Sequence, residues 1–237
     1  STDFSTAETD TAKTSAMIES GNINGNMELA LSNSDTTTAQ TADFSVSTGK
    51  KKITLTEGAQ EIKFNDEGGN VAVIESDSAG EKNITLGNGG DLAIIKSTST
   101  PVNITAGKGK DTIVTSGNNV TVDMTGGATK IVANFGNVNL TNYDAATGAG
   151  IQVDEVSDIE RAVQNGNINF GNGIVSLSGA TINLGTSSSE STVVNLFDNQ
   201  GRKTKVAYTN SDGGTIDATT EREDMLLVGS YNSSKSN

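Results

Sequence analysis

Ile84-Thr85-Leu86-Gly87-Asn88-Gly89-Gly90-Asp91-Leu92-Ala93-Ile94 is answered twenty residues later by Ile104-Thr105-Ala106-Gly107-Lys108-Gly109-Lys110-Asp111-Thr112-Ile113-Val114. Each copy is a strand-length apolar stretch, a glycine-rich turn ending in Asp, and a second apolar stretch. Further along, Ile104, Val122 and Leu140 recur every 18 residues. A period near twenty built from such short stretches predicts stacked coils of a β-solenoid.

Working outward, the pairs Ile53/Leu55, Ile62/Phe64, Val71/Val73, Ile84/Leu86, Leu92/Ile94, Val102/Ile104, Val120/Val122 and Val138/Leu140 all have spacing two, the period of a strand. The turns between them alternate in kind. One series is rich in Gly and Asp (65–70, 87–91, 107–111, 123–127). The other is mostly Ser, Thr and Asn (75–83, 96–101, 115–119, 133–137). Strict alternation predicts two strands per coil and two chemically different edges. The expected fold is all-β: a parallel β-solenoid (β-roll or β-helix) of two-strand coils over 49–153. Residues 1–48 read as a polar leader, cap or arm. Residues 154–166 read as a short helix, with Ser157-Asp158-Ile159-Glu160 as a capping box and Ile159, Ala162 and Val163 on one apolar face. Residues 167–237 read as a C-terminal β region, either an antiparallel cap or irregular coils. It carries a hairpin turn at Asp198-Asn199-Gln200-Gly201 and ends in a disordered tail.

Composition narrows function. Hydrophobic residues make up 33% of the 237, a low share that suits thin cores, and 27 Gly against 1 Pro fits many tight turns. The formal charge of −13 argues against nucleic acid, whose phosphates require Lys and Arg. With Cys and His both 0, disulfides, thiol nucleophiles and imidazole metal sites are excluded; a metal would be a hard cation held by oxygen. No apolar run is long enough to insert in a bilayer as a helix. The chain opens on Ser-Thr-Asp without a signal peptide, which reads as a processed protein or a fragment.

Gly107-Lys108-Gly109-Lys110-Asp111-Thr112-Ile113 fits G-x-G-x-D-x-U, and Gly87-Asn88-Gly89-Gly90-Asp91-Leu92-Ala93 fits it with a smaller last residue. These two turns resemble the calcium-binding nonapeptide repeat of RTX proteins. The resemblance implies calcium between stacked turns, with Gly87, Gly89, Asp91, Gly107, Gly109 and Asp111 as the metal site and at most one or two ions on one edge. The equivalent turns carry Asn70 and Thr129-Lys130 where Asp is expected. More broadly, Gly107 to Asn142 resembles the repeats of large bacterial surface proteins, which form S-layer-like coats, adhesin shafts and secreted scaffolds.

The leading expectation is therefore a structural, non-enzymatic protein outside the bacterial cell or on its surface. It would self-assemble as a homo-oligomer or polymer (coat, filament or fibre), with calcium as stabiliser. An adhesin or carbohydrate-binding module, meeting a glycan through the Ser/Thr/Asn edge, is the alternative; the 4% aromatic content weighs against it. A polysaccharide lyase or epimerase ranks third, because its cationic residues would be scattered. Asp154, Glu155, Asp158 and Glu160 are expected to serve the helix N-terminus, and Arg202-Lys203-Thr204-Lys205 to sit on a solvated hairpin tip.

Overall fold

The computed structural model describes residues 5–6, 23–76, 78–153, 158–186, 189–211 and 216–217. In chain order the strands are β1 (Ser5–Thr6), β2 (Met27–Leu31), β3 (Gln40–Asp43), β4 (Lys51–Leu55), β5 (Gln60–Lys63), β6 (Val71–Ile74), β7 (Lys82–Thr85), β8 (Leu92–Ile95), β9 (Val102–Thr105) and β10 (Thr112–Thr115). They continue as β11 (Val120–Asp123), β12 (Lys130–Ala133), β13 (Gly136–Thr141), β14 (Gly150–Gln152), β15 (Asn169–Gly171), β16 (Ile174–Ser176), β17 (Ala180–Asn183), β18 (Ser191–Phe197), β19 (Lys203–Thr209) and β20 (Ile216–Asp217). From β2 to β15 successive strands alternate between two sheets. The first runs β1-β2-β4-β6-β8-β10-β12-β14-β18-β19-β20, and the second β15-β16-β17-β13-β11-β9-β7-β5-β3. From β2 to β14 every pairing is parallel. The protein is a β-solenoid with two strands per coil.

Alternation within strands gives each sheet one inward face, and parallel register turns each inward position into a column. Ile53, Ala72, Ala93, Ile113, Ile131 and Ile151 stack in the first sheet. Ala42, Ile62, Ile84, Ile104, Val122 and Leu140 stack in the second. All twelve are buried. β-branched residues dominate because they fit a pleated, close-packed surface. The stack is already under way before residue 49, since β2 and β3 pair in register with β4 and β5.

The C-terminal region reverses the pairing in both sheets. β17 lies parallel to β13, but β16 and β15 follow antiparallel; β18 lies parallel to β14, but β19 and β20 follow antiparallel. The Asp198–Gly201 turn joins β18 to β19 and is locked by an Arg202 Nε–Asp198 Oδ2 ion pair of 2.6 Å. Helix α1 (Ile159–Gln164) buries Ile159, Ala162 and Val163. Its N-cap is Asp158, whose carboxylate accepts from Arg161 N at 3.1 Å, rather than the Ser157 of the expected capping box. Ser157, Asp154 and Glu155 lie outside the described residues, as do the arm segment Ala16–Ile18 and the tail from residue 218.

Stacking imposes a steric rule at the glycine corners. Gly107 has φ +79, and a Cβ there would stand 2.1 Å from Gly87 O of the coil before. Gly201 has the same φ but nothing within 4 Å. Gly107→Ala is therefore expected to cost about 2 kcal/mol or more, against about 1 kcal/mol for Gly201→Ala, which meets backbone strain alone. Urea unfolding of the two variants measures the difference; equal losses would show that the coils do not require glycine at 107.

Candidate functional site

Just past each Gly-rich corner, the chain enters the first sheet with one more inward-facing residue. In register these residues form the column Lys51, Asn70, Asp91, Asp111, Thr129. All five are buried; Asp91 is 5% and Asp111 1% exposed. Each of the first three is linked to the next by a side chain that reaches back one coil. Lys51 N donates to Asn70 Oδ1 at 2.9 Å, Asn70 N to Asp91 Oδ1 at 2.8 Å, and Asp91 N to Asp111 Oδ1 at 2.8 Å.

The column changes character along its length. At the N-terminal end the side chains supply donors. Lys51 Nζ donates to Gly25 O and Thr48 O, both at 2.6 Å, and to Gly49 O at 3.3 Å. Asn65 Nδ2 donates to Ser47 O and Gly49 O at 2.9 and 2.8 Å. The corner carbonyls of the early coils are thus satisfied by an ammonium and an amide. Further along, the chain offers acceptors instead. Asp91 Oδ2, Asp111 Oδ2 and Thr129 Oγ1 are buried without a hydrogen-bond partner. They occupy three successive rungs, and rungs of a sheet lie about 4.8 Å apart. Burial pushes the Asp91 carboxyl up to about 6 and the Asp111 carboxyl up to about 7, with Asp91 adding its charge to the load on Asp111.

Buried oxygens of this kind have two remedies, a proton or a cation. Two carboxylates and a hydroxyl facing a glycine corner form a hard, all-oxygen donor set, which fits a calcium-like ion. Among the described residues no three Asp, Glu, His or Cys side chains converge. A cation here would hence take its remaining ligands from Thr129 and main-chain carbonyls. Of the residues expected at a metal site, Asp91 and Asp111 are brought together on adjacent rungs. The glycines beside them are required by coil contact itself: a Cβ on Gly109 would stand 2.3 Å from Gly89 O, and one on Gly87 2.5 Å from Asn65 O. Their presence is explained without an ion.

Sequence reasoning missed the donor half of the column. Lys51 is the middle of three consecutive lysines, yet it shares its parity with Ile53 and Leu55 and is fully buried. A second hidden ammonium, Lys82, heads a strand of the other sheet. Its Nζ donates to Gly58 O, to Gln60 Oε1 at 3.0 Å and to Ala79 O at 3.3 Å, and burial lowers its pKa to about 8. Of the dispersed tyrosines, Tyr208 is buried and Tyr143 donates its hydroxyl to Val193 O at 3.0 Å. No family model, curated protein or solved structure matches this chain.

The sign of the pH dependence follows from the raised carboxyls. Unfolded, both titrate near 3.8; folded, near 6 and 7. Between those values the folded chain binds more protons, so the stabilisation is complete below about 4 and is lost as pH rises through 7. In a chelator, stability should fall by about 2–4 kcal/mol from pH 4 to pH 8 on account of this pair. Asp35, Asp43 and Asp123 act in the opposite direction, and below about pH 4. Hydrogen bonds from Thr38, Ser45 and Thr125 respectively hold them under the usual carboxylate range. The clean comparison is with Asp111→Asn, which keeps an acceptor for Asp91 N and should at least halve the slope between pH 4 and 8. Identical urea midpoints for both proteins across that window would refute the assignment.

Proposed function

We propose that this chain is a structural β-solenoid of the bacterial cell surface or extracellular space. In this reading it assembles laterally with copies of itself into a coat, filament or fibre, and calcium stiffens its glycine corner. One observation carries the reading: the outward face of the first sheet is apolar. Val73, Ile94, Val114 and Val132 form one outward column, in which Ile94 and Val114 are half-buried and Val73 and Val132 buried, and the half-buried Val71 and Leu92 stand side by side in the next. From β4 to β12 the outward positions hold no Asp or Glu, in a chain of net charge −13, and their charges are Lys52 and Lys130. The opposite sheet presents Asn83, Asn103, Thr121 and Asn139 in one outward column and Thr85, Thr105, Asp123 and Thr141 in the other. One side of the solenoid thus favours water and the other favours contact. Acidic copies meeting elsewhere would repel; on the apolar face they would not. Face-to-face packing of two such sheets brings them about 10 Å apart.

Support for the ion comes from Asp91 Oδ2, Asp111 Oδ2 and Thr129 Oγ1, the three buried oxygens without partners. No catalytic role is proposed: Asp91 is 5% and Asp111 1% exposed, which leaves a substrate almost no carboxylate surface to reach.

Electron microscopy and light scattering of the purified chain test the assembly. Ordered sheets or filaments are expected, and a double Ile94→Lys, Val114→Lys variant should be monomeric with an unchanged far-ultraviolet spectrum. A monomeric wild-type chain at every concentration would overturn the reading. Calcium is tested separately. Millimolar calcium should raise the Tm of the wild type by several degrees and leave an Asp91→Asn, Asp111→Asn variant unmoved. No shift in the wild type would remove the ion and leave the lateral assembly standing.

A further inference from the structure

The corner opposite the glycine edge is closed in the middle coils by short turns, at 96–101 between β8 and β9, 116–119 between β10 and β11, and 134–135 between β12 and β13. After β14 it is not closed in this way. The chain leaves at Val153, passes through α1, and returns by Gly166 to Ile168 into the β15–β16 hairpin. The turn that follows, between β16 and β17, is tied back to the preceding coil, where Gly136 N donates to Gly179 O at 2.9 Å. The detour holds the corner open as a cleft of about 910 Å³.

The chemistry of the cleft differs from the rest of this acidic molecule. Asn134, Gln152, Asn167, Asn169, Ser176 and Ser178 supply its polar groups, and none of the lining residues is charged. Among the described residues, the side chains of Asn134, Asn167, Ser176 and Ser178 have no hydrogen-bond partner. Amides and hydroxyls both donate and accept. Val153, Ile168 and Leu177 add an apolar component. Beside the cleft stands Phe135, 54% exposed, an aromatic ring that neither the core nor the cap uses. It lies against the cleft wall, since a Cβ on Gly179 would be 3.7 Å from Phe135 Cδ2.

We propose that this cleft binds a neutral oligosaccharide. A sugar ring has an apolar C–H face for an exposed aromatic and a rim of hydroxyls for amide and hydroxyl partners. The volume falls within the range of small-molecule sites. The absence of charge selects neutral sugars over uronates or sulfated chains. An extended peptide is a poorer occupant, because β16 already pairs on both edges, with β15 and β17, and an added strand would have only the three-residue edge of β15 to pair with. The site does not rest on the assembly reading, which concerns the outward face of the first sheet.

The test is titration calorimetry of the full chain with hexasaccharides of β-linked glucose, β-linked N-acetylglucosamine and α-linked mannose, with hexagalacturonate as the charged probe. At least one neutral hexasaccharide is expected to bind saturably, with a Kd in the roughly micromolar-to-millimolar range. Phe135→Ala should weaken that binding about tenfold or more, as should Asn134→Asp combined with Asn167→Asp, while Phe135→Trp retains it. All three positions are exposed, so thermal midpoints should stay within a few degrees of the wild type. If Phe135→Ala nevertheless fails to fold, the Asn variant and Phe135→Trp carry the test. The proposal is overturned by an absence of binding to every neutral sugar, by tighter binding of hexagalacturonate, or by binding that the folded variants leave unchanged.

Discussion

Everything in this molecule depends on the hydrogen-bond ladder between consecutive coils. The ladder fixes neighbouring strands at about 4.8 Å and holds them in parallel register, so each inward residue has its counterparts above and below as its nearest company. An apolar column is then self-consistent, as with Ile62, Ile84, Ile104 and Val122. A charged column is not, because like charges on successive rungs are held close in a medium that screens them poorly. The chain responds by varying the polar column rather than repeating it. An ammonium at Lys51 and the side-chain amide of Asn65 take up carbonyl oxygens in the early coils, the Asn70 amide takes up the Asn65 Oδ1, and the unpartnered acceptors accumulate only at Asp91, Asp111 and Thr129. The column is electrically graded from one end to the other.

The same constraint explains what could be read from the sequence. Repetition every twenty residues with pairs of spacing two is the ladder written in one dimension, so the coils, the two edges and the neighbourhood of Asp91 and Asp111 were all legible. Even the inward direction of Asp91 was within reach, since it shares parity with Ala93 and Ile95. Lys51 was not read inward because lysine is so strongly associated with solvent. Only the placement of Gly25, Thr48 and Gly49 around its Nζ makes burial tolerable, and that is a property of two stacked corners. The first coil was obscured for a different reason. β3 reads Gln-Thr-Ala-Asp, in which Ala42 is the one inward apolar residue, and Met27 and Lys51 are 24 residues apart in sequence although they pair. The open corner was invisible because it arises from where the chain departs after β14. Phe135 therefore read as one more residue of a turn.

The two kinds of side follow from strand parity as well. One parity faces the core and the other faces outward, so a single strand such as Leu92–Ile95 contributes Ala93 and Ile95 to the interior while placing Leu92 and Ile94 on the outer face. The second sheet makes the opposite choice at its outward positions, with Asn and Thr. A near-continuous apolar run in the first sheet and a strict alternation in the second are thus two different commitments about what each side will meet, made with the same inward pattern.

The reversal of strand direction at the C-terminal end, in both sheets, has a consequence for how such a molecule varies over generations. The antiparallel hairpins engage only the final rungs, through β13–β17 and β14–β18. Among the described residues, the strands of the middle coils pair with the coil before and the coil after. A duplication or loss of one whole unit, such as the twenty residues from Asp91 to Lys110, would leave both ends with the partners they already have. Length is therefore a free variable of this architecture, adjustable in single-coil steps, whereas the two termini of the stack are not.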